Sequence, residues 1–232
     1  MYLRMLGKTI LGIGVVIAGY LTIVAIWASV SISSLLPAGA TESKLPLLTP
    51  EQKNILLQIE DPTFYEHAGL DVSQGQGLTT ITSSLARTVF LFGEKLSGIK
   101  GGFQSFYRGV FACCKKIDIG RDVMALVLDH NLSKDQQLQL FVSRIYMGGN
   151  KGIQLTGLPS AASSYFEKPL ANLSNIEFIT LVAMLKSPNH FHPSKGAMQL
   201  KTRVSSIERI LSGDCQPNGW FDTTYEHCIS ND

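Results

Sequence analysis

From Thr9 to Thr41 the chain carries no charged residue, and Ile10 to Ile32 is almost wholly apolar. A run of that length has few homes. As a helix it crosses a bilayer core of about 30 Å, which takes about 20 apolar residues. Arg4 and Lys8 stand just before the run, so the positive-inside rule leaves the N-terminus in the cytoplasm and exports the rest of the chain. A cleaved signal peptide competes, because Ala38-Gly39-Ala40 resembles a cleavage site. A signal peptide's apolar region is only about 7–15 residues, however, and the run reads as a retained anchor.

The 232 residues suffice for one good-sized domain behind that anchor. Hydrophobic content is 45% and charged content 16%, and much of the apolar excess sits in the N-terminal run. The net charge of +2 is too balanced to argue for a nucleic-acid partner. Neither a Gly-rich phosphate loop nor Cys/His zinc spacing is present, and no internal repeat is seen. Cys215 and Cys228 bracket a short polar tail with Pro217, Asn218 and Gly219, and export favours joining them in a disulfide. Cys113-Cys114 lies in an apolar stretch and reads as two small packed side chains.

Residues 37–47 read as a linker leaving the membrane, after an anchor over 1–36. From there helical spacing dominates. Thr49 and Pro50 are an N-cap and first-turn proline ahead of Glu51–Ile59. A helix is expected over Thr79–Phe92, and Phe103–Asp129 is either one helix or two broken near Gly120. Ser133 caps the next, and Ser174–Lys186 and Lys195–Leu211 complete a helical domain over 48–212, with a disulfide loop over 213–232. No hairpin or alternating strand is expected.

Chemistry concentrates at Glu60–Asp71, which reads Glu-Asp-Pro-Thr-Phe-Tyr-Glu-His-Ala-Gly-Leu-Asp. Glu60 follows Ile55, Leu56, Leu57 and Ile59, so it rides the last turn of a buried-face helix, and Pro62 and Gly69 then turn His67 back toward it. A carboxylate held against apolar neighbours has a raised pKa, which suits a general base or acid. The simpler alternative is a helix C-terminus with solvated acids.

The pattern Glu-Asp-x-x-Phe-x-x-His-x-Gly-x-Asp over Glu60–Asp71 resembles the first motif of the peptidoglycan glycosyltransferases, the lipid II polymerases. Four further stretches succeed it in order. Gly77–Arg87 is similar to the family's Gly-Gly-Ser-Thr-Ile-Thr-Gln-Gln-Leu-x-Lys run, with Ser83 and Ser84 where it has paired glutamines. In Ile117–Asp129, anchored on Ala125, Leu128 and Asp129, Arg121 takes the place of the second catalytic glutamate, and Asp118 and Asp122 are the acids near enough to replace it. Leu132–Gly148 resembles the fourth motif and Gly157–Lys168 the fifth.

The resemblance implies a mostly α-helical, lysozyme-like domain behind a single transmembrane helix, with a membrane-near lobe that admits a lipid chain. It implies Glu60 as the catalytic base, and Asp61, Thr80, Arg87, Lys115, Lys116 and Arg121 as substrate-binding residues. A hydroxyl-rich helix start and Arg87 suit a diphosphate, through free amides and a bidentate guanidinium. No cofactor is required; cationic side chains or a divalent metal (Mg or Mn) at the diphosphate would hold the leaving group. The implied partners are lipid II, the growing glycan strand, membrane lipid and other cell-wall synthesis proteins, at a bacterial inner membrane with the domain in the periplasm. Two rivals stand beside this reading. One is a non-catalytic relative that binds lipid-linked glycan or scaffolds a wall complex, which Arg121 favours. The other is a wall-cleaving glycosidase.

Overall fold

The computed structural model of the chain describes residues 2–36, 47–71, 79–111, 118–219, 222 and 224–228. The uncharged run becomes α1 (Tyr2–Leu35), a helix of 34 residues and therefore about 51 Å long. Its stretch Leu6–Leu35 is long and apolar enough to cross a membrane. The two halves differ. Ile10, Leu11, Ile13, Val15 and Val16 are exposed, whereas Val24, Trp27, Ala28, Ile32 and Leu35 are buried. Steps of three and four put that second set on one stripe, and the stripe packs on the domain.

Polar contacts lock the stripe in place. The Trp27 indole donates to the Lys100 carbonyl at 3.0 Å, and its ring lies 5.0 Å from Phe103. The Tyr20 hydroxyl donates to that of Tyr107 at 3.2 Å. A Cβ on Gly120 would lie 2.4 Å from the Tyr20 hydroxyl and 2.3 Å from that of Tyr107. Gly120→Ala should therefore wedge α1 off the domain, at a cost of about 1–3 kcal/mol from overpacking. A lower melting midpoint in detergent, with red-shifted Trp27 emission, is the expected readout; an unchanged midpoint would contradict the close approach.

The other elements are α2 (Pro50–Glu60), α3 (Ile81–Ala86), a π-helical turn (Arg87–Phe92), α4 (Gly98–Phe111), α5 (Ile119–Asn131), α6 (Lys134–Arg144), β1 (Tyr146–Asn150), β2 (Ile153–Thr156), α7 (Leu158–Phe166), α8 (Asn175–Leu185) and α9 (Ala197–Ser212). The fold is mostly α, behind one apolar N-terminal helix. Helix α8 is central because its second half is almost wholly apolar: Phe178, Leu181, Val182, Ala183 and Met184 are fully buried. Helices α2, α7 and α9 pack around it.

Two expectations are corrected and one alternative is decided. The stretch Thr79–Phe92 is not one α-helix, since α3 changes to a π turn at Arg87. Phe103–Asp129 takes the second of its two expected forms, two helices, with α4 ending at Phe111 and Asp118 capping α5 two residues before Gly120. Residues 112–117, with Cys113, Cys114, Lys115 and Lys116, lie outside the described residues, as do 37–46 of the linker. A hairpin is present. Strand β1 pairs antiparallel with β2, Asn150 opposite Ile153, and Lys151 (φ 51°) and Gly152 (φ 82°) make the turn. Two consecutive positive φ values match the twist of a two-residue hairpin. Cys215 and Cys228 are bonded, with Cα atoms 5.8 Å apart.

Candidate active site

Glu60 is delivered by a helix whose ends are both fixed. At its start Thr49 and Gln52 form a capping box and Pro50 opens the first turn. Ile55, Leu56 and Ile59 are buried, and the Gln52 amide donates to the Leu170 carbonyl at 2.8 Å. At its end the Asp61 amide donates to the Leu57 carbonyl and the Tyr225 hydroxyl to the Ile59 carbonyl, at 2.9 and 3.2 Å. The last carbonyls of a helix lack intrahelical partners, so these bonds hold the turn that carries Glu60.

Glu60 opens into a cavity of about 280 Å³. Its wall joins residues from six parts of the chain: Ile59 and Glu60, then Thr79, Thr80, Ile81, Ser84 and Arg87, Phe141 and Ile145, Leu185 and Lys186, Arg203, and finally Tyr225. One carboxylate thus shares a pocket with three cations. Burial pushes the Glu60 carboxyl above the ordinary value of 4.5; Arg203 and then Lys186 pull it back, and Asp61 adds to the rise.

Arg203 is itself buried, on the inner stripe of α9 with Leu200, Val204, Ile207 and Ile210. Its guanidinium lies between two rings, 5.3 Å from Phe191 and 5.1 Å from Tyr225. Its Nε donates to the Ala183 carbonyl at 3.0 Å and Nη1 to that of Thr224 at 3.4 Å. Burial disfavours its charge and Glu60 favours it. Burial, with Glu60 nearby, pushes the Tyr225 phenol up to about 12, so it stays protonated and donating.

Asp61 does not line this pocket. It is fully buried behind it, taking the Ile81 amide on Oδ2 and His67 Nε2 on Oδ1, both at 2.9 Å. The Gly69 amide donates to His67 Nδ1, so the proton sits on Nε2 and points at Asp61. Thr80 joins the same knot: its hydroxyl donates to the Gly69 carbonyl at 2.6 Å and accepts from the Ser83 amide at 3.0 Å. This corrects the expected anion site at the start of α3. The protein's own Asp61 carboxylate occupies that helix end, and the Thr80 hydroxyl is fully used in the wall.

Arg87 does face the pocket, and its guanidinium also lies 5.2 Å from the exposed Phe92 ring, with Arg108 of α4 at 5.5 Å from the same ring. Ser84 lines the pocket, while Ser83 is buried and donates to the Thr80 carbonyl. Arg121 is the second correction. It is buried away from the pocket wall and gives Nε and Nη2 to Asp122 Oδ1 at 3.1 and 2.8 Å. Asp118 caps α5 and accepts from the Tyr107 hydroxyl at 2.6 Å. Neither Asp118 nor Asp122 lines the Glu60 cavity.

Lys186, Arg203 and Tyr225 escaped sequence reasoning. One signal was available: Arg203 puts a charge on the apolar stripe of α9, where a charge needs a partner. The described lining does not fit a divalent metal. Hard cations take six or more oxygen ligands, and in this pocket one carboxylate stands among three positive groups. Among the described residues, the one cluster of possible ligands is Cys215, His227 and Cys228, and its sulfurs are spent in the disulfide.

A profile of the family described as Transglycosylase matches residues 40–211. The chain is 28% identical over 170 residues to penicillin-binding protein 1B of Escherichia coli (strain K12), covering 67% of this chain and 18% of that protein. It is 31% identical over 140 residues to penicillin-binding protein 1B of Buchnera aphidicola subsp. Acyrthosiphon pisum, covering 60% of this chain and 18% of that one. With penicillin-binding protein 1A of Pseudomonas aeruginosa the figures are 29% over 171 residues, 67% and 18%. The chain therefore spans less than a fifth of the length of these relatives.

Proposed function

The chain belongs to the transglycosylase family, the peptidoglycan glycosyltransferases, and from that premise we propose that it polymerises lipid II into glycan strands at the outer face of a bacterial inner membrane. The observation that carries this reading is the pairing of a half-buried carboxyl, Glu60, with Arg87, Lys186 and Arg203 around one cavity. A base needs a carboxylate with raised proton affinity; a departing diphosphate needs cations. Glu60 takes the proton of the acceptor sugar hydroxyl, whose oxygen attacks the anomeric carbon of the donor. The bond from that carbon to the diphosphate oxygen breaks, and the electron pair leaves with undecaprenyl diphosphate. Arg87, Lys186 and Arg203 meet the charge that develops there. Glycan strands and membrane lipid are the partners this implies, together with other wall-synthesis proteins.

A second reading rests on Arg121: the position of the family's second acid holds a buried cation bonded to Asp122. A relative without that acid binds lipid-linked glycan and does no chemistry. Incubating the purified protein with lipid II separates the readings. Strand formation supports the polymerase. Binding without strands supports the scaffold, and breakdown of preformed glycan alone would favour a glycosidase.

A further inference from the structure

The family match ends at residue 211, yet the Glu60 pocket is walled in part by Tyr225. The segment that carries Tyr225 is closed by the Cys215–Cys228 bond and tied to α9 at its base. The Cys215 amide donates to the Arg209 carbonyl at 3.1 Å, and Arg209 Nη1 donates to the Cys228 carbonyl at 2.9 Å. Tyr225 sits in this frame with φ 58°, a conformation L-residues seldom adopt, and is almost fully buried. From there it reaches two partners. Its hydroxyl donates to the carbonyl of Ile59, the residue before Glu60, and its ring covers one face of Arg203. The adjacent Thr224 carbonyl accepts from Arg203 Nη1.

We propose that this disulfide-closed segment is a working part of the site, in which Tyr225 is a positioning residue that sets Glu60 and its counter-charge Arg203 against each other. The contacts divide the labour. The hydroxyl fixes the turn that aims the carboxyl, and the ring and the Thr224 carbonyl fix the guanidinium. The disulfide keeps both in register, because Cys228 follows Tyr225 by three residues and the Cys228 amide donates to the Tyr225 carbonyl at 3.0 Å. The inference rests on the polymerase reading for its kinetic consequence, but not for its geometry.

Two variants test it in the full-length protein in detergent: Tyr225→Phe, which deletes one hydroxyl and keeps the ring, and Cys215→Ala with Cys228→Ala, which frees the segment. Losing one aligned hydrogen bond should lower kcat for lipid II polymerisation about 10-fold in Tyr225→Phe, with KM little changed. Freeing the segment should lower kcat about 100-fold, since small misplacements of catalytic groups have effects of that size. Circular dichroism should remain helical, because the described part of the segment contributes no α-helix, only the short 3-10 turn Glu226–Cys228. Phenylglyoxal modification mapped by mass spectrometry supplies a readout independent of activity: Arg203 should be protected in the wild type and react once the disulfide is gone. Wild-type kcat in both variants would overturn the proposal, as would an Arg203 that stays protected without the disulfide. A wild type that makes no strands, with Arg203 exposed by the cysteine variant, would sink the polymerase reading and leave the placement of Arg203 by the tail standing.

Discussion

Glu60→Gln is expected to reduce strand formation about 10²–10⁴-fold, the usual loss when a positioned general base is removed and equivalent to roughly 3–5 kcal/mol of barrier. Glutamine keeps the shape of the side chain and cannot take the hydroxyl proton. The same change should not harm the fold. Burial holds the carboxyl above its ordinary value even with Arg203 and Lys186 facing it. A folded-state pKa above the unfolded one means the folded protein favours the neutral form. The stability this contributes is present below the unfolded pKa and is lost as pH rises through the folded value. At neutral pH an ionised Glu60 costs stability through its own burial, whereas a neutral glutamine leaves the buried Arg203 without that counter-charge. The two effects oppose each other, and the melting midpoint should change little. Stability measured beside activity separates lost chemistry from lost structure. In the wild type, kcat should rise with pH as Glu60 ionises, with its midpoint above the usual 4.5. Strand synthesis by Glu60→Gln at the wild-type rate would end the assignment.

Arg121→Glu would put an acid where the motif resemblance expects the family's second one, and it is expected to destabilise the protein rather than improve it. Arg121 is buried and its guanidinium holds Asp122, while its amide donates to Asp118. Replacement leaves Asp122 without its cation and adds a third carboxylate beside two. Breaking a fully buried pair costs about 3–5 kcal/mol, and this one, with the Asp122 side chain 21% exposed, should fall at the lower end of that range. A glutamate in the first turn of α5 would recover about 1 kcal/mol from the helix dipole, too little to offset that. Chemical denaturation should show a midpoint shift of this size. If Arg121→Glu instead folded normally and gained activity, Arg121 would be a degraded catalytic acid and its role as the structural partner of Asp122 would be refuted.

The apolar N-terminal helix, the helical class and the helix starts at Thr49, Ser133 and Ser174 were legible because each is a local signal: a charge-free run, or a capping residue three before its partner. The Cys215–Cys228 pairing was legible from compartment and spacing. The hairpin was not, since glycines at 148, 149 and 152 remove the alternation that marks a strand. At the site, the motif positions Glu60, Thr80 and Arg87 share one cavity wall. Asp61 was misjudged for a physical reason: adjacent residues at a helix end point in different directions, and only packing decides which one reaches the pocket. Lys186, Arg203 and Tyr225 reach Glu60 across more than a hundred residues of chain, and no local pattern encodes such a meeting.

The seam between α1 and the domain has a further consequence. With Trp27 bonded to the Lys100 carbonyl and Tyr20 to Tyr107, the helix and the domain turn as one body. Set across a bilayer, such a body works as a depth gauge. Of a helix about 51 Å long, the hydrocarbon takes about 30 Å, and the remainder sets the stand-off of the pocket from the lipid surface. A catalyst on a loose tether samples many altitudes and must sort its encounters by affinity. One held at a fixed altitude meets only groups presented at that level, so its search is two-dimensional and its first selection is geometric. Shortening or lengthening α1 by a turn would then detune the protein without touching a single residue of the cavity.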